Sequence, residues 1–281
     1  MLSRKIGIDL GSSSVRIFVK GEGIVINERT PATPEGDNTV FLHHLIGRAK
    51  GRPRLFKPEI VVSVPTTVSS SQRRAVTEAA MAAGARQVWL IDEPLAAAMG
   101  AGLPIGESRA SAICELGATT TEIAVIARSG MVVAQAIAVG GNDLDAAIAA
   151  RMGIPVRDAE AIKIEVGSAV PMETPLVSRA VDRPVSSNDV CDAIDPVLAK
   201  IAAAVRDVLR QTPPAFAADL AERGIVLSGG GAQLRGIDRF MAARTGVPFA
   251  IAKEPQTSVV RGAGLALETF EVLRRNHTYL R

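Results

Sequence analysis

Two short stretches of this 281-residue chain hold the side chains best placed to do chemistry. "GIDLGSSSVRIFV", Gly7 to Val19, and "ICELGATTTEIAVI", Ile113 to Ile126, align without a gap. Asp9 meets Glu115, Leu10 meets Leu116, Gly11 meets Gly117 and Val19 meets Val125, at a constant offset of 106 (115 minus 9). Each copy supplies one acid, then a glycine turn, then an apolar run. The three small residues of each turn mostly carry hydroxyls: Ser12, Ser13 and Ser14 in one, Ala118, Thr119 and Thr120 in the other. Turn amides and hydroxyls suit phosphate oxygens, and a carboxylate suits a hydrated divalent cation. One such turn is an ordinary hairpin turn. Two in register, with Gly229, Gly230 and Gly231 of "LSGGGAQL" at an expected helix start, point together to a phosphate chain.

The elements that must position these residues follow from periodicity and turn chemistry. Each acid–Leu–Gly segment predicts strand, tight turn, strand, and each continues into a further antiparallel strand, "GEGIVINE" or "ARSGMVVAQAIAVGG". After the first meander come a strand "EIVVSVP", a helix "SSSQRRAVTEAAMAAGA" with a capping box from Ser69 to Gln72, a strand "QVWLIDEP" and a helix "LAAAMGAG". After the second come a strand "RGIVLSGGG", a helix "AQLRGIDRFMAART", a strand "VPFAIAKEP" and a helix "QTSVVRGAGLALETFEVLRR". Both copies carry Glu-Pro followed by Gly-Ala-Gly. A long amphipathic helix with Val190, Ile194, Val197, Ile201, Val205 and Val208 on one face ends at Pro213-Pro214. The prediction is two similar α/β halves, with a cleft between two acid-tipped hairpins.

Composition narrows the class. Hydrophobic residues make up 47% and aromatics only 3%, so the core must be built from Ala, Val, Ile and Leu, as α/β layers are. A net charge of +3 is too mild to indicate a nucleic-acid partner. Cys114 and Cys191 show no metal-ligand spacing, which predicts a reduced, cytoplasmic protein. The first strand follows Met1 too closely for a signal peptide, and no uncharged apolar run is long enough to span a bilayer.

At this point the text of the chain resembles the actin superfamily and, within it, the MreB/Mbl bacterial actins. "IGIDLGSSS", "LFKPEIVVSVP", "LIDEPLAAAMGAGLPI", "AIKIEVGSAVP", the stretch from "IDPVLAKIAAAV" to "MAARTGVP", and "RGAGLALE" match that family in the same order, from residue 1 to about 270. The resemblance implies an actin-like (ribonuclease H-like) duplicated fold that binds ATP with Mg2+. It assigns 1–106 plus 258–281 to the first half and 107–257 to the second. Asp9 and Glu115 would hold the metal through water, and Gly11 to Ser14 and Gly117 to Thr120 would line the phosphates. Glu93, before Pro94, matches the residue that positions attacking water. Glu160, Lys163 and Gly167 fall where adenosine is held, with Gly229 to Ala232 on its other side.

Three departures from the family pattern bear on function. Glu115 stands where the family has Asp, and Ala118 and Thr119 replace glycines. A longer reach and residues forced toward positive φ predict slow hydrolysis, at a strain of about 1–2 kcal/mol per residue. A short linker over 30–38 replaces the outer subdomain of the first half, and residues of about 151–189 form a reduced one in the second. The expected function is therefore a membrane-associated, filament-forming protein of cell shape and cell-wall synthesis. The alternative is a degenerate nucleotide-binding adaptor that works with a full-length MreB-type paralogue. A small-molecule kinase of the same fold would need a further general base, and no loop acid announces one. Finally, Leu55 and Phe56 lie among Arg48, Lys50, Arg52, Arg54 and Lys57, and "LFKP" resembles the family's membrane-inserting loop. This predicts peripheral attachment to the anionic inner face of the cell membrane, near membrane proteins of the wall-elongation machinery.

Overall fold

A computed structural model of the chain describes residues 3–30, 38–50, 57–128 and 130–275. Most of the expected linker, and both Leu55 and Phe56, lie outside the described residues. The chain divides into two compact units: Met1–Ser108 with Ile126–Val132 and Thr257–Arg281, and Arg109–Val125 with Val133–Gln256. Among the described residues no helix is long and apolar enough to cross a membrane.

In the first unit, β1 (Lys5–Leu10), β2 (Ser14–Val19) and β3 (Gly23–Arg29) form the expected antiparallel meander. They are followed by α1 (Asn38–Lys50), β4 (Glu59–Val64), α2 (Ser70–Ala82), β5 (Gln87–Asp92) and α3 (Glu93–Gly100). Strands β4 and β5 add in parallel, giving the order β3-β2-β1-β4-β5. Strand β4 carries an unbroken apolar run because it is covered on both faces, and Ile60, Val61 and Val62 are all buried. Helix α1 turns Leu42, Leu45, Ile46 and Ala49 onto the same core as Ile6, Ile8 and Ile17. The capping box of α2 is present: Ser69 N donates to Gln72 Oε1 at 2.9 Å and Gln72 N to Ser69 Oγ at 3.3 Å.

The second unit contains β6 (Ser111–Leu116), β7 (Thr121–Ala127) and β8 (Gly130–Ile137) apart from Ile126–Val132 where the two strands meet, α4 (Gly141–Met152), α5 (Val156–Val166), β9 (Val177–Ser178), β10 (Val185–Ser186), α6 (Ser187–Gln211), α7 (Pro214–Arg223), β11 (Ile225–Ser228), α8 (Ile237–Thr245) and β12 (Phe249–Ile251). Its sheet runs β8-β7-β6-β11-β12, the same winding as the first. The repeated hairpin is thus the opening of a repeated sheet. Helix α6 buries Val190, Ile194, Ile201, Val205 and Val208, the predicted face. The stretch 151–189 holds α5 and only a two-residue antiparallel pair, β9 and β10.

One expectation is corrected. Gly229 to Gly231 do not open an α-helix. Gly230–Gln233 form a 3₁₀ turn, Leu234 is extended, and α8 starts only at Ile237, after Gly236 at φ 71°. An extended residue followed by a left-handed one breaks the helical run that the periodicity suggested.

Helix α9 (Ser258–Arg275) returns to the first unit and crosses α3. The duplicated Gly-Ala-Gly finds its reason here. A Cβ on Gly100 would overlap Ser258 O and lie 2.8 Å from Gly262 N, and one on Gly262 would overlap Ala96 O. Backbone packs directly on backbone, with no side chain that could yield. Gly262→Ala should therefore cost at least about 3 kcal/mol, at the upper end of overpacking penalties. Gly47→Ala, in open space on the exposed side of α1, should instead stabilise by about 0.5–1 kcal/mol. Chemical denaturation of the two variants checks the contrast, and equal midpoints would refute the crossing as a fixed contact.

Candidate functional site

The first hairpin is set by its glycine. A Cβ on Gly11 would lie 2.8 Å from Ser14 O, so only glycine closes the turn this tightly. Thr30, just after β3, ties the turn down: its Oγ1 donates to Gly11 O at 2.6 Å and its N to Ser13 O at 3.0 Å. Ser12 and Ser13 are left exposed at the tip. Asp9 is buried at the end of β1, paired across the sheet with Arg16 on β2 and Ser63 on β4. Arg16 Nη1 donates to Asp9 Oδ2 at 3.3 Å. Burial pushes the Asp9 carboxyl up to about 6, the nearby guanidinium pulling the other way. Glu93 is the first residue of α3 and half-buried, while its neighbour Asp92 is ion-paired with Arg73.

The second hairpin repeats the turn. Gly117 N donates to Thr120 O at 2.9 Å, and a Cβ on Gly117 would again meet that carbonyl at 2.9 Å. Glu115 is buried at the end of β6, and its Cα partner on β11 is the buried Ser228. The glycine loop after β11 lies against this acid: a Cβ on Gly229 would sit 2.5 Å from Glu115 Oε1. Gly230 faces open space, Gly231 follows it in the 3₁₀ turn, and Ala232 is buried there. Lys163 on α5 pairs with Asp145 Oδ1 at 2.7 Å and donates to Gly141 O at 3.1 Å. Glu160 lies one turn before Lys163, and Gly167 O accepts from Arg235 Nη1 at 3.2 Å. Within the second unit, then, Glu115, Gly117 to Thr120, Lys163 and Gly229 to Ala232 are linked at one end of the sheet.

Two functional elements escaped the sequence reading. The turn between β8 and α4 buttresses the hairpin: Gly141 N donates to Gly117 O at 2.9 Å and Asn142 N to Ala118 O at 2.8 Å. A Cβ on Gly140 would lie 2.6 Å from Ala118 O. Asp145, on α4, anchors Lys163 to this same turn. The signal was present in "GGNDLD": paired glycines opening a helix, with an acid three residues on whose carboxylate takes the Gly140 N–H at 2.8 Å.

The expected strain at Ala118 and Thr119 is a second correction. No described residue other than glycine has positive φ, so the turn seats both side chains without backbone strain. Arg48, one of the five cations around Leu55 and Phe56, is engaged by Glu28, with Nη1 to Oε2 at 2.8 Å. Among the described residues no group of three or more His, Cys, Asp or Glu is placed to hold a metal on its own. Magnesium commonly sits that way, on one or two carboxylates plus phosphate oxygens and water.

Known proteins share this architecture over nearly the whole chain. The family model described as MreB/Mbl protein matches residues 35–275. The cell shape-determining protein MreB of Escherichia coli is 36% identical, with 97% of this chain and 95% of that protein covered. The 334 aligned positions exceed the 281 residues of this chain by 53, so at least that many of them face a gap in it. Mbl of Bacillus subtilis is 31% identical, covering 97% of this chain and 98% of that protein. A crystal structure of MreB5 of Spiroplasma citri bound to ADP superposes with a TM-score of 0.86 at 25% identity, covering 98% of this chain and 99% of that one. The chain belongs to the MreB/Mbl family of cell shape-determining, actin-like proteins.

Proposed function

We propose that the chain binds ATP with magnesium through its two hairpins and acts as an MreB-type cytoskeletal protein, forming or joining filaments at the membrane in cell-shape and wall-synthesis work. The observation that carries the proposal is the linked glycine set of the second unit. Gly229 packs on the buried Glu115 and its strand, Gly140 packs on the hairpin turn, and Gly230 faces open space, which leaves room for a ligand. The relative from Spiroplasma citri binds ADP. Asp9 and Glu115 would hold magnesium through its waters, and the metal supplies charge neutralisation for the phosphates. The chain's own residues bind and orient: turn amides and hydroxyls take phosphate oxygens, and Lys163 with Glu160 and Gly167 borders the adenosine. Membrane attachment through Leu55 and Phe56 belongs to the same proposal and rests on the sequence. A second reading is an adaptor that joins a longer paralogue. The 53-position deficit against the Escherichia coli protein favours it, because lost outer surface removes area for self-contact.

ATP with magnesium should raise the melting temperature of the protein. Asp9→Ala should abolish that rise. Gly230→Asp should abolish it too while leaving the apo melting temperature unchanged, because its Cβ meets nothing and only the added charge repels phosphate. An unmoved parent melting curve at millimolar ATP and magnesium would refute nucleotide binding.

Apo stability should carry the signature of Asp9. Its folded carboxyl titrates near 6 against 3.8 unfolded, so the folded state holds a proton that the unfolded chain has lost. That contribution is fully present below about pH 4 and disappears as pH rises through 6; at about 1.4 kcal/mol per unit it amounts to at most about 3 kcal/mol. Asp9→Asn should flatten this limb in urea titrations between pH 4 and 8 and leave the variant more stable than the parent at pH 8. A parent curve that is flat over this range contradicts the assignment.

Hydrolysis should be slow, with Glu93 positioning water and Glu115 limiting the rate. The longer side chain carries its carboxylate across to Gly229. Glu115→Asp withdraws it, and misplacements of about 1 Å can cost ~100-fold in rate. Phosphate release should therefore rise by tenfold or more in Glu115→Asp. Equal turnover by parent and variant removes Glu115 as the cause.

A further inference from the structure

The two hairpins match in backbone and differ in charge. At the offset of 106 that pairs Asp9 with Glu115, Arg16 on β2 pairs with Glu122 on β7, and Glu122 is fully buried. In the first hairpin the acid thus faces a guanidinium across the strand pair, and in the second the same position holds another acid. Arg16 lies two residues beyond the last residue of the phosphate turn, Ser14. Its side chain is 14% exposed, that of Asp9 8%, and they meet at 3.3 Å. The contact uses one of the five donors of the guanidinium, and Arg16 Nε is buried with no acceptor among the described residues. On the other side of Asp9 stands Ser63, buried, its hydroxyl likewise without a partner. The row Arg16–Asp9–Ser63 therefore has donors to spare and one carboxylate to receive them.

We propose that Arg16 is a resident cation of the phosphate site, which holds Asp9 in an ion pair, competes with a divalent cation for that carboxylate, and lends positive charge to phosphates bound at the turn of residues 11–14. The physical cause is simple Coulomb bookkeeping. A fixed positive charge a few ångströms away disfavours a second cation and favours an anion, and at about 6 Å with an effective dielectric of ~40, as at a partly hydrated turn, each equilibrium moves by roughly tenfold. A guanidinium carries a delocalised positive charge and takes oxygens in pairs. The first hairpin is then self-neutralised, and nucleotide binding depends less on magnesium than it would with an apolar residue at position 16. The inference rests on the nucleotide-binding function proposed above.

ATP binding to the full-length protein should be titrated calorimetrically in EDTA and across a magnesium series, for the parent, Arg16→Gln and Arg16→Lys. Loss of the charge in Arg16→Gln should weaken metal-free ATP binding about tenfold and lower the half-saturating magnesium concentration about tenfold. Arg16→Lys, which keeps the charge, should stay within about twofold of the parent in both. The opposite directions separate an electrostatic role from damage to the fold, which would weaken both. Two unchanged equilibria in Arg16→Gln, or two weakened ones, overturn the role of Arg16 while leaving the nucleotide site standing. A parent that binds no ATP even with magnesium overturns the nucleotide site itself.

Discussion

Backbone packed against backbone, with glycine as the only residue that permits it, is the constraint on which this protein depends. The same device serves two ends. In the first unit Gly100 and Gly262 let α3 and α9 touch main chain to main chain, and α3 begins at Glu93. In the second unit Gly140 and Gly229 press the β8–α4 turn and the loop after β11 onto the β6–β7 hairpin. Such contacts have no rotamers and no slack, so they hold carbonyls and amides within tenths of an ångström, the precision that binding and catalysis require. They also explain why the turn bearing Ala118 and Thr119 keeps its shape without the family's glycines. It is supported from outside, by Gly141 N on Gly117 O and Asn142 N on Ala118 O, and its own residues need no positive φ.

Onto this frame the chain places two buried acids, each in need of a polar partner. The answers differ. Asp9 has Arg16 at 3.3 Å, yet its carboxyl still rises to about 6, so one guanidinium offsets only part of the desolvation. Glu115 lies in a strand beside the buried Glu122, with the Ser228 hydroxyl on its other flank. A repeated fold has therefore been loaded with unlike charges. Duplication fixes where a carboxylate stands, and the neighbouring residue fixes the charge beside it.

Much of this was legible in the residues. The acid–Leu–Gly repeat, the strand meanders, the capping box at Ser69 and the apolar face of α6 depend on local spacing alone, and each stands where spacing put it. What was hidden depends on neighbours far apart in sequence. Gly-Ala-Gly announced itself twice without disclosing that Gly100 and Gly262 meet, because a close crossing is a property of two helices and not of either. Arg16 sat inside an apolar run and gained meaning only from the register that sets it opposite Asp9. The buttress from Gly140 to Asn142 and the Asp145–Lys163 pair link turns and helices whose order in the chain gives no hint of contact. The glycine triplet misled for a related reason: its spacing suits a helix start, while Gly229 at φ 83° and the extended Leu234 impose a 3₁₀ turn.

The residues of the candidate site are spread over both units. The candidate site is drawn from β1, β2 and the turn between them, β6 and the β6–β7 turn, the first turns of α3 and α4, helix α5 with the Gly167 that follows it, and the loop after β11. Both sheets are complete, and their cores are filled by Ile, Val, Leu and Ala of the strands and of α1, α6 and α9. Only seven residues, 31–37, separate Thr30 from α1, and between α5 and α6 there remains a single pair of two-residue strands. Between α4 and α6 stands α5, the helix that carries Glu160 and Lys163. Its last turn connects back through Lys163 to Gly141 and from there to the hairpin. The candidate turns thus stand between strands that fill the cores of their own units.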